Sequence, residues 1–397
     1  MVFAILKETF KQLNFQETIR NLKKDWPTKT PKEKWKVLCD IPRILLGFFG
    51  IRILEEDCQV YWLSYFGSFL ALNYFSLAGY TLIYFARAGK FWIGTRCVCG
   101  IGIVASSVTL YIKCLTSDRF RLRVLFRFSG DYIYSDVKDS SPFNELCERS
   151  IKKMQTSYII LVIVIFISIG SVCVGPIQAF LVKGVMITPF GTKLPFFEED
   201  SNLAFYVDIS YQSVLMPFGI VSTICIELCQ CMTYNTVELC ASCIELNGEK
   251  LSEMLQVDRQ SIRSGALFRN ILLQIRDFDE YLLEFSDVFY WKTFLGPPLL
   301  TFGATYGIFA QWILEFPAGY GNAVVSYIAL LVICYMGENI KTANEKICDS
   351  LCNLAWYHLP KSQQKDIAHM LNRMQNGVNL TQGPFKCLDY DMASTIQ

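Results

Sequence analysis

The chain has 397 residues, of which 52% are hydrophobic, 14% aromatic and only 18% charged. Soluble domains carry about 25% charge, so this composition excludes an ordinary soluble domain and specifies a membrane protein. The net charge of +1 marks no nucleic-acid partner, because the basic residues sit in loops between apolar spans rather than on one soluble face.

Residues 1–57 are polar and basic, with Lys23-Lys24 and a Lys29 to Lys36 cluster punctuated by Pro27 and Pro31. Ile44 to Ile53 then turn apolar. This reads as a cytoplasmic N-terminal segment with a helix along the membrane surface. The opening Met1-Val-Phe-Ala-Ile-Leu is too short and wrongly flanked for a cleaved signal peptide.

Six uncharged stretches follow, at 58–86, 97–112, 154–182, 209–226, 293–314 and 316–337. A helix crosses a bilayer core in about 20 residues, and runs of this length are too long for barrel strands. The second begins beside Arg96, which can snorkel to the interface. The expectation is an all-α, polytopic helical membrane protein.

Positive charge sets its orientation. The segments ending on the N-terminal side of the membrane hold 32 Lys and Arg, and the opposite segments hold 5. The positive-inside rule therefore places the N-terminus in the cytoplasm. Receptors that couple to G proteins are inverted relative to this. Asp118-Arg119-Phe120 resembles their Asp-Arg-Tyr, but it follows the second span rather than the third.

Between the fourth and fifth spans, Leu267, Ile271, Ile275, Phe278, Leu282, Phe285 and Phe289 recur at helical intervals. They form one apolar face of a helix that projects the fifth span into the cytoplasm. Ile244, Leu251 and Leu255 do the same for the fourth span. Ile347, Leu351, Leu354 and His358 extend the sixth, and Ile367, Met370, Leu371 and Met374 follow. Such stripes pack within the chain or against a neighbouring subunit.

Catalysis has little support. The two histidines, His358 and His369, both lie in the tail, and no phosphate loop, nucleophile elbow or His-Glu-x-x-His occurs. No enzyme activity and no cofactor are expected. Sixteen cysteines lie mostly in or beside apolar runs, so no disulfide framework is expected. Cys225, Cys229, Cys231, Cys240 and Cys243 fall on one continuous helix, which cannot wrap a tetrahedral zinc ion; they read as packing thiols.

The better candidates are polar or adaptable groups in the outer halves of the spans. Ser168, Ser171 and Gly175 share one face of the third span, suited either to a ligand or to close helix packing. Met216 and Ile220 stand one turn apart on the fourth. Tyr320, Ser326 and Tyr327 offer aromatic surface and hydroxyls on the sixth. Trp92 lies at the outer mouth of the second, where Trp also serves as an interfacial anchor. Groups of this kind suit a small, mostly apolar ligand.

Residues 332–391 carry a longer pattern. Cys334-Tyr335-Met336-Gly337-Glu338 closes the sixth span, Trp356-Tyr357 follows, and Leu380-Thr381-Gln382-Gly383-Pro384-Phe385 comes last. In this order and spacing the segments resemble the C-terminal signature of insect odorant receptors. Tyr211-Gln212 and Glu227 resemble that family's fourth span, and Glu338 its acidic position ending the sixth.

The resemblance implies a subunit of a non-selective cation channel, gated by a small volatile hydrophobic odorant in the plasma membrane of sensory neurons. The partners it implies are a shared co-receptor subunit, in a hetero-oligomer expected to be a tetramer, and membrane lipid. It places the ligand among the outer halves of the second, third, fourth and sixth spans. It assigns assembly and signature roles to Tyr335, Gly337, Glu338, Trp356, Tyr357, Leu380, Thr381, Gly383 and Phe385.

The expected layout is spans one to four in 58–233, cytoplasmic helical extensions in 234–292, spans five and six in 293–337, and a cytoplasmic anchor segment in 338–391. Residues 392–397 would start a seventh, pore-lining span, most of which the chain is expected to lack. Asn379-Leu380-Thr381 fits a glycosylation acceptor but falls on the cytoplasmic side, so it is expected to stay unmodified. The alternatives are a gustatory-type ligand-gated channel, whose Thr-Tyr…Gln-Phe ending is not found, and, less favoured, a G-protein-coupled receptor. A transporter would show paired halves, and no internal repeat is seen.

Overall fold

The computed structural model describes residues 26–48, 51–52, 59–60, 62–95, 97, 104, 116, 118–131, 141–183, 188, 191–197, 201–257, 262–313 and 319–377. Its helices are α1 (Pro31–Phe48), α2 (Trp62–Arg87), α3 (Phe91–Gly94), α4 (Asp118–Asp131), α5 (Ser141–Lys183), α6 (Asn202–Val257), α7 (Ile262–Ile313), α8 (Gly319–Asn353) and α9 (Lys361–Gln375). The expected all-helical architecture has one small departure among the described residues. Ile51–Arg52 and Gln59–Val60 form a two-residue antiparallel ladder.

Length is the dominant feature. α5 has 43 residues, α6 has 56 and α7 has 52. At 1.5 Å per residue these are rods of about 65–85 Å, more than twice the roughly 30 Å of a bilayer core. Each therefore carries an apolar run and a polar, amphipathic extension in one helix. Ser64–Arg87 within α2, with mean hydropathy 1.3, is by itself long and apolar enough to cross a membrane. The expected second span lies almost wholly outside the described residues.

The extensions pack against each other. Ile271, Ile275, Phe278, Leu282, Phe285 and Phe289 of α7 are buried in one core with Ile244, Leu251 and Leu255 of α6, Ile347 and Leu351 of α8, and Leu354 just past its end. The stripes read from the sequence are thus satisfied inside the chain. Gly248 lets α6 lie close against α8, since a Cβ there would stand 2.7 Å from Ser350 Oγ. Ile367 and Met374 seat α9 on the same core. The five clustered cysteines all lie buried on α6.

The N-terminal helix is more deeply engaged than a surface helix. Thr30 caps it: Thr30 N–H donates to Glu33 Oε2 at 2.8 Å and Glu33 N–H returns to Thr30 Oγ1 at 3.3 Å, a reciprocal capping box. Its apolar face of Trp35, Leu38, Cys39 and Leu46 is buried against the main core. Trp35 is fully buried and its indole N–H donates to the Ser129 carbonyl of α4 at 2.7 Å. Ser129 Oγ in turn pairs with the Tyr281 hydroxyl of α7 at 3.0 Å, and Tyr281 stacks on Phe128 with ring centroids 4.4 Å apart. Burial raises the Tyr281 phenol well above its ordinary value, so it stays a neutral hydrogen-bonding group.

Candidate ligand site and subunit surface

α2 ends where Gly89 adopts φ 71°. Lys90 N–H reaches back to Phe85 O at 2.8 Å and Gly89 N–H to Ala86 O at 3.1 Å, a left-handed helix stop that glycine adopts without strain. The chain reverses into α3, whose Gly94 lets it lie directly on Phe85. This turn carries Trp92, whose side chain is outside the described residues.

Beside it, α2 meets the N-terminal half of α6 in a second, smaller apolar cluster. Leu70, Ala71, Tyr74, Val104 and Leu215 form its buried part, with Phe75, Tyr211, Met216 and Phe218 packed around them. Two tyrosine hydroxyls donate to backbone carbonyls: the buried Tyr74 to Cys97 at 2.6 Å and the half-buried Tyr211 to Leu70 at 3.0 Å. Met216 is the sequence candidate that the structure places here, half-buried at the seam.

A short strap, residues 191–197, closes over this seam. Thr192 Oγ1 donates to the Asp208 carboxylate at 2.9 Å, and Gln212 Nε2 donates to the same carboxylate at 2.9 Å. Lys193 N–H donates to Thr81 Oγ1 at 2.9 Å, while its ammonium bonds Phe197 O at 2.6 Å and lies 5.3 Å from the Tyr84 ring centroid. Asp208, Gln212 and Lys193 are all buried. Gln212 was marked by its neighbour Tyr211 in the sequence. Asp208 carried one signal, its position one turn before Gln212.

The candidates on α8 divide between two faces. Ser326 lies with Ala323 and Leu330 on the buried side, tight against Gly303 of α7, where a Cβ would stand 2.9 Å from Ser326 Oγ. Tyr320 and Tyr327 are 60% and 42% exposed and share an outward stripe with Leu331. The three hydroxyls therefore do not converge. Ser168, Ser171 and Gly175 fall on α5 and Ile220 on α6; their side chains lie outside the described residues.

Midway along α8, where its apolar run ends, Gly337 is buried and Glu338 half-buried. Trp356 and Tyr357 sit on a single 3-10 turn between α8 and α9, 43% and 63% exposed. Two adjacent exposed aromatics leave an apolar surface on the outside of the helical core. Leu380, Thr381, Gly383 and Phe385 lie outside the described residues.

A family model described as "7tm Odorant receptor" matches residues 133–389, and the chain belongs to that family. The fold is that of a solved member. The structure of the insect olfactory receptor OR5 from Machilis hrabei covers 92% of this chain, over 94% of its own length, with a TM-score of 0.70 at 15% identity. The same receptor in complex with eugenol matches over the same shares, with a TM-score of 0.69 at 12% identity. The protein is a polytopic helical membrane protein and an odorant receptor, not an enzyme.

Proposed function

We propose that this chain is the odorant-binding subunit of a cation channel assembled with the family's shared co-receptor in the plasma membrane of sensory neurons. The observation that carries the reading is the family match over residues 133–389. It is supported by rods that join an outer, partly apolar seam to an inner core in single helices. In this reading the N-terminus is cytoplasmic and the inner core is an anchor. Trp356 and Tyr357 are the exposed aromatics that a neighbouring subunit covers. The odorant occupies the outer halves of the spans near Met216 and Tyr327, held mainly by burial with few hydrogen bonds. It opens the channel only to the extent that it binds the open state better than the closed one.

The test has two stages. An N-terminal epitope tag should stain only in permeabilised cells, and staining of intact cells would overturn the inverted topology. Cells carrying this chain and the co-receptor should then pass odorant-evoked cation current that neither chain alone provides; its absence would overturn the channel reading.

A further inference from the structure

Three long helices meet at the inner end of their apolar runs through polar and aromatic side chains at the edge of the main core, Tyr234 buried within it and Tyr335 packed against it. Lys153 of α5 pairs with Glu238 of α6, and its ammonium lies 6.0 Å from the ring centroid of Tyr335 of α8. That ring meets Tyr234 of α6 edge to face, with centroids 5.4 Å apart at 80°. The Tyr234 hydroxyl donates back to Ser157 Oγ of α5. The contacts close a ring around three helices. Burial works against the Lys153 charge, but the Glu238 carboxylate and Tyr335 outweigh it and hold the ammonium above its ordinary value.

We propose that this cluster is the fulcrum of the odorant response, and that Tyr335 and Lys153 are its positioning residues. The inference rests on the ligand-gated reading above. All three helices continue from the cluster into their outer halves; α5 and α6 carry Pro176 and Pro217 there, whereas α8 holds neither proline nor glycine between Tyr327 and Tyr335. Tyr327 stands about 12 Å above Tyr335, and Met216 about 27 Å above Tyr234, along the helix axes. The α8 stretch therefore has no kink site to absorb tilt. A ligand wedged against the outer end of α8 therefore turns that rod about the cluster that ties it to α5 and α6.

The joint has the chemistry of a pivot. The Lys153 and Glu238 side chains are 35% and 44% exposed, and half-exposed ion pairs add little to stability. The cation–ring distance is at the outer edge of the attractive range. Such contacts break and re-form in a second arrangement at low cost, as a two-state joint requires. The neighbouring Ile333, Cys334 and Met336 are fully buried and supply the fixed part.

The experiment co-expresses the full chain with the co-receptor and applies eugenol and a panel of small volatile aromatics, reading current and surface-labelled protein together. Lys153→Met, Glu238→Gln and Tyr335→Leu should cut the maximal current about fivefold or more, with the rank order of the panel and the surface amount unchanged. Tyr335→Phe keeps the ring and should stay near wild type. The reversed pair Lys153→Glu with Glu238→Lys should regain most of the current lost in the single variants. Unchanged current in Lys153→Met and Tyr335→Leu, or a fall matched by lost surface protein, overturns the fulcrum alone. A wild type silent to every compound overturns the ligand-gated reading, and the fulcrum with it.

Discussion

Arg373 of α9 donates through both Nε and Nη2 to one oxygen of Asp279, the Nε contact at 2.5 Å. The carboxylate side chain is 7% exposed and the guanidinium 46%. Asp279 sits on α7, so one ion pair ties the last described helix to the rod behind the fifth span. Removing the arginine strands a buried carboxylate, whereas removing both charges does not. Arg373→Ala should therefore lower stability by about 1–3 kcal/mol, and Asp279→Leu with Arg373→Met should recover most of it. Thermal unfolding in detergent reads both, and an additive double variant would show that the pair contributes nothing.

Trp35 is the second joint. Trp35→Phe keeps the apolar body but leaves the Ser129 carbonyl without its indole donor, and should cost about 1 kcal/mol. Trp35→Ala empties a fully buried site and should cost about 3–5 kcal/mol. Hydrogen exchange should rise first in 31–48 and in 118–131, the two helices this side chain joins. Exchange confined to 31–48 would mean that α1 is seated by other contacts.

The N-cap of α1 sets a pH window. The Glu33 carboxyl is held below its ordinary value of 4.5, first by the Thr30 N–H and then by the Thr30 hydroxyl. A depressed carboxyl stabilises the folded state above its unfolded pKa, and that stabilisation is lost as pH falls through the folded one. Glu33→Gln should thus lower the melting temperature at pH 7, and the difference from wild type should vanish toward pH 3. A difference that persists at low pH would place the effect in packing.

Much of this was legible in the chain itself. The stripe from Ile271 to Phe289 announced a buried helix face because apolar spacing depends only on the 3.6-residue period. The pattern from Tyr335 to Trp356-Tyr357 announced the family. What stayed hidden were partners distant in sequence. Nothing near Lys153 names Glu238, and nothing near Trp35 names Ser129, because such pairs exist only once the helices cross. Ser326 shows the limit most plainly. Its hydroxyl looked like a handle for a ligand, but whether a position faces a neighbour depends on Gly303 of another helix.

That contact can be tested directly. Gly303→Ala forces a methyl against Ser326 Oγ and should cost about 1–3 kcal/mol, and adding Ser326→Ala should return part of it. The odorant profile should stay put in Ser326→Ala and shift in Met216→Ala and Tyr327→Ala at unchanged surface amount. A profile change in Ser326→Ala alone would move the ligand toward the α7–α8 seam.

Assembly should respond elsewhere. Trp356→Ala and Gly337→Leu should reduce co-purification with the co-receptor and leave odorant preference unchanged. A changed preference with intact co-purification would remove both residues from an assembly role.

The 56-residue run of α6 also restricts how the gene can change length. One codon inserted between Gly219 and Tyr234 would turn the N-terminal half about 100° against the C-terminal half, rotating Met216 off its seam while Tyr234 stayed at its post. Insertions there are tolerable only near whole turns. The rod behaves like a keyed shaft: its side chains can be exchanged singly, but its length cannot.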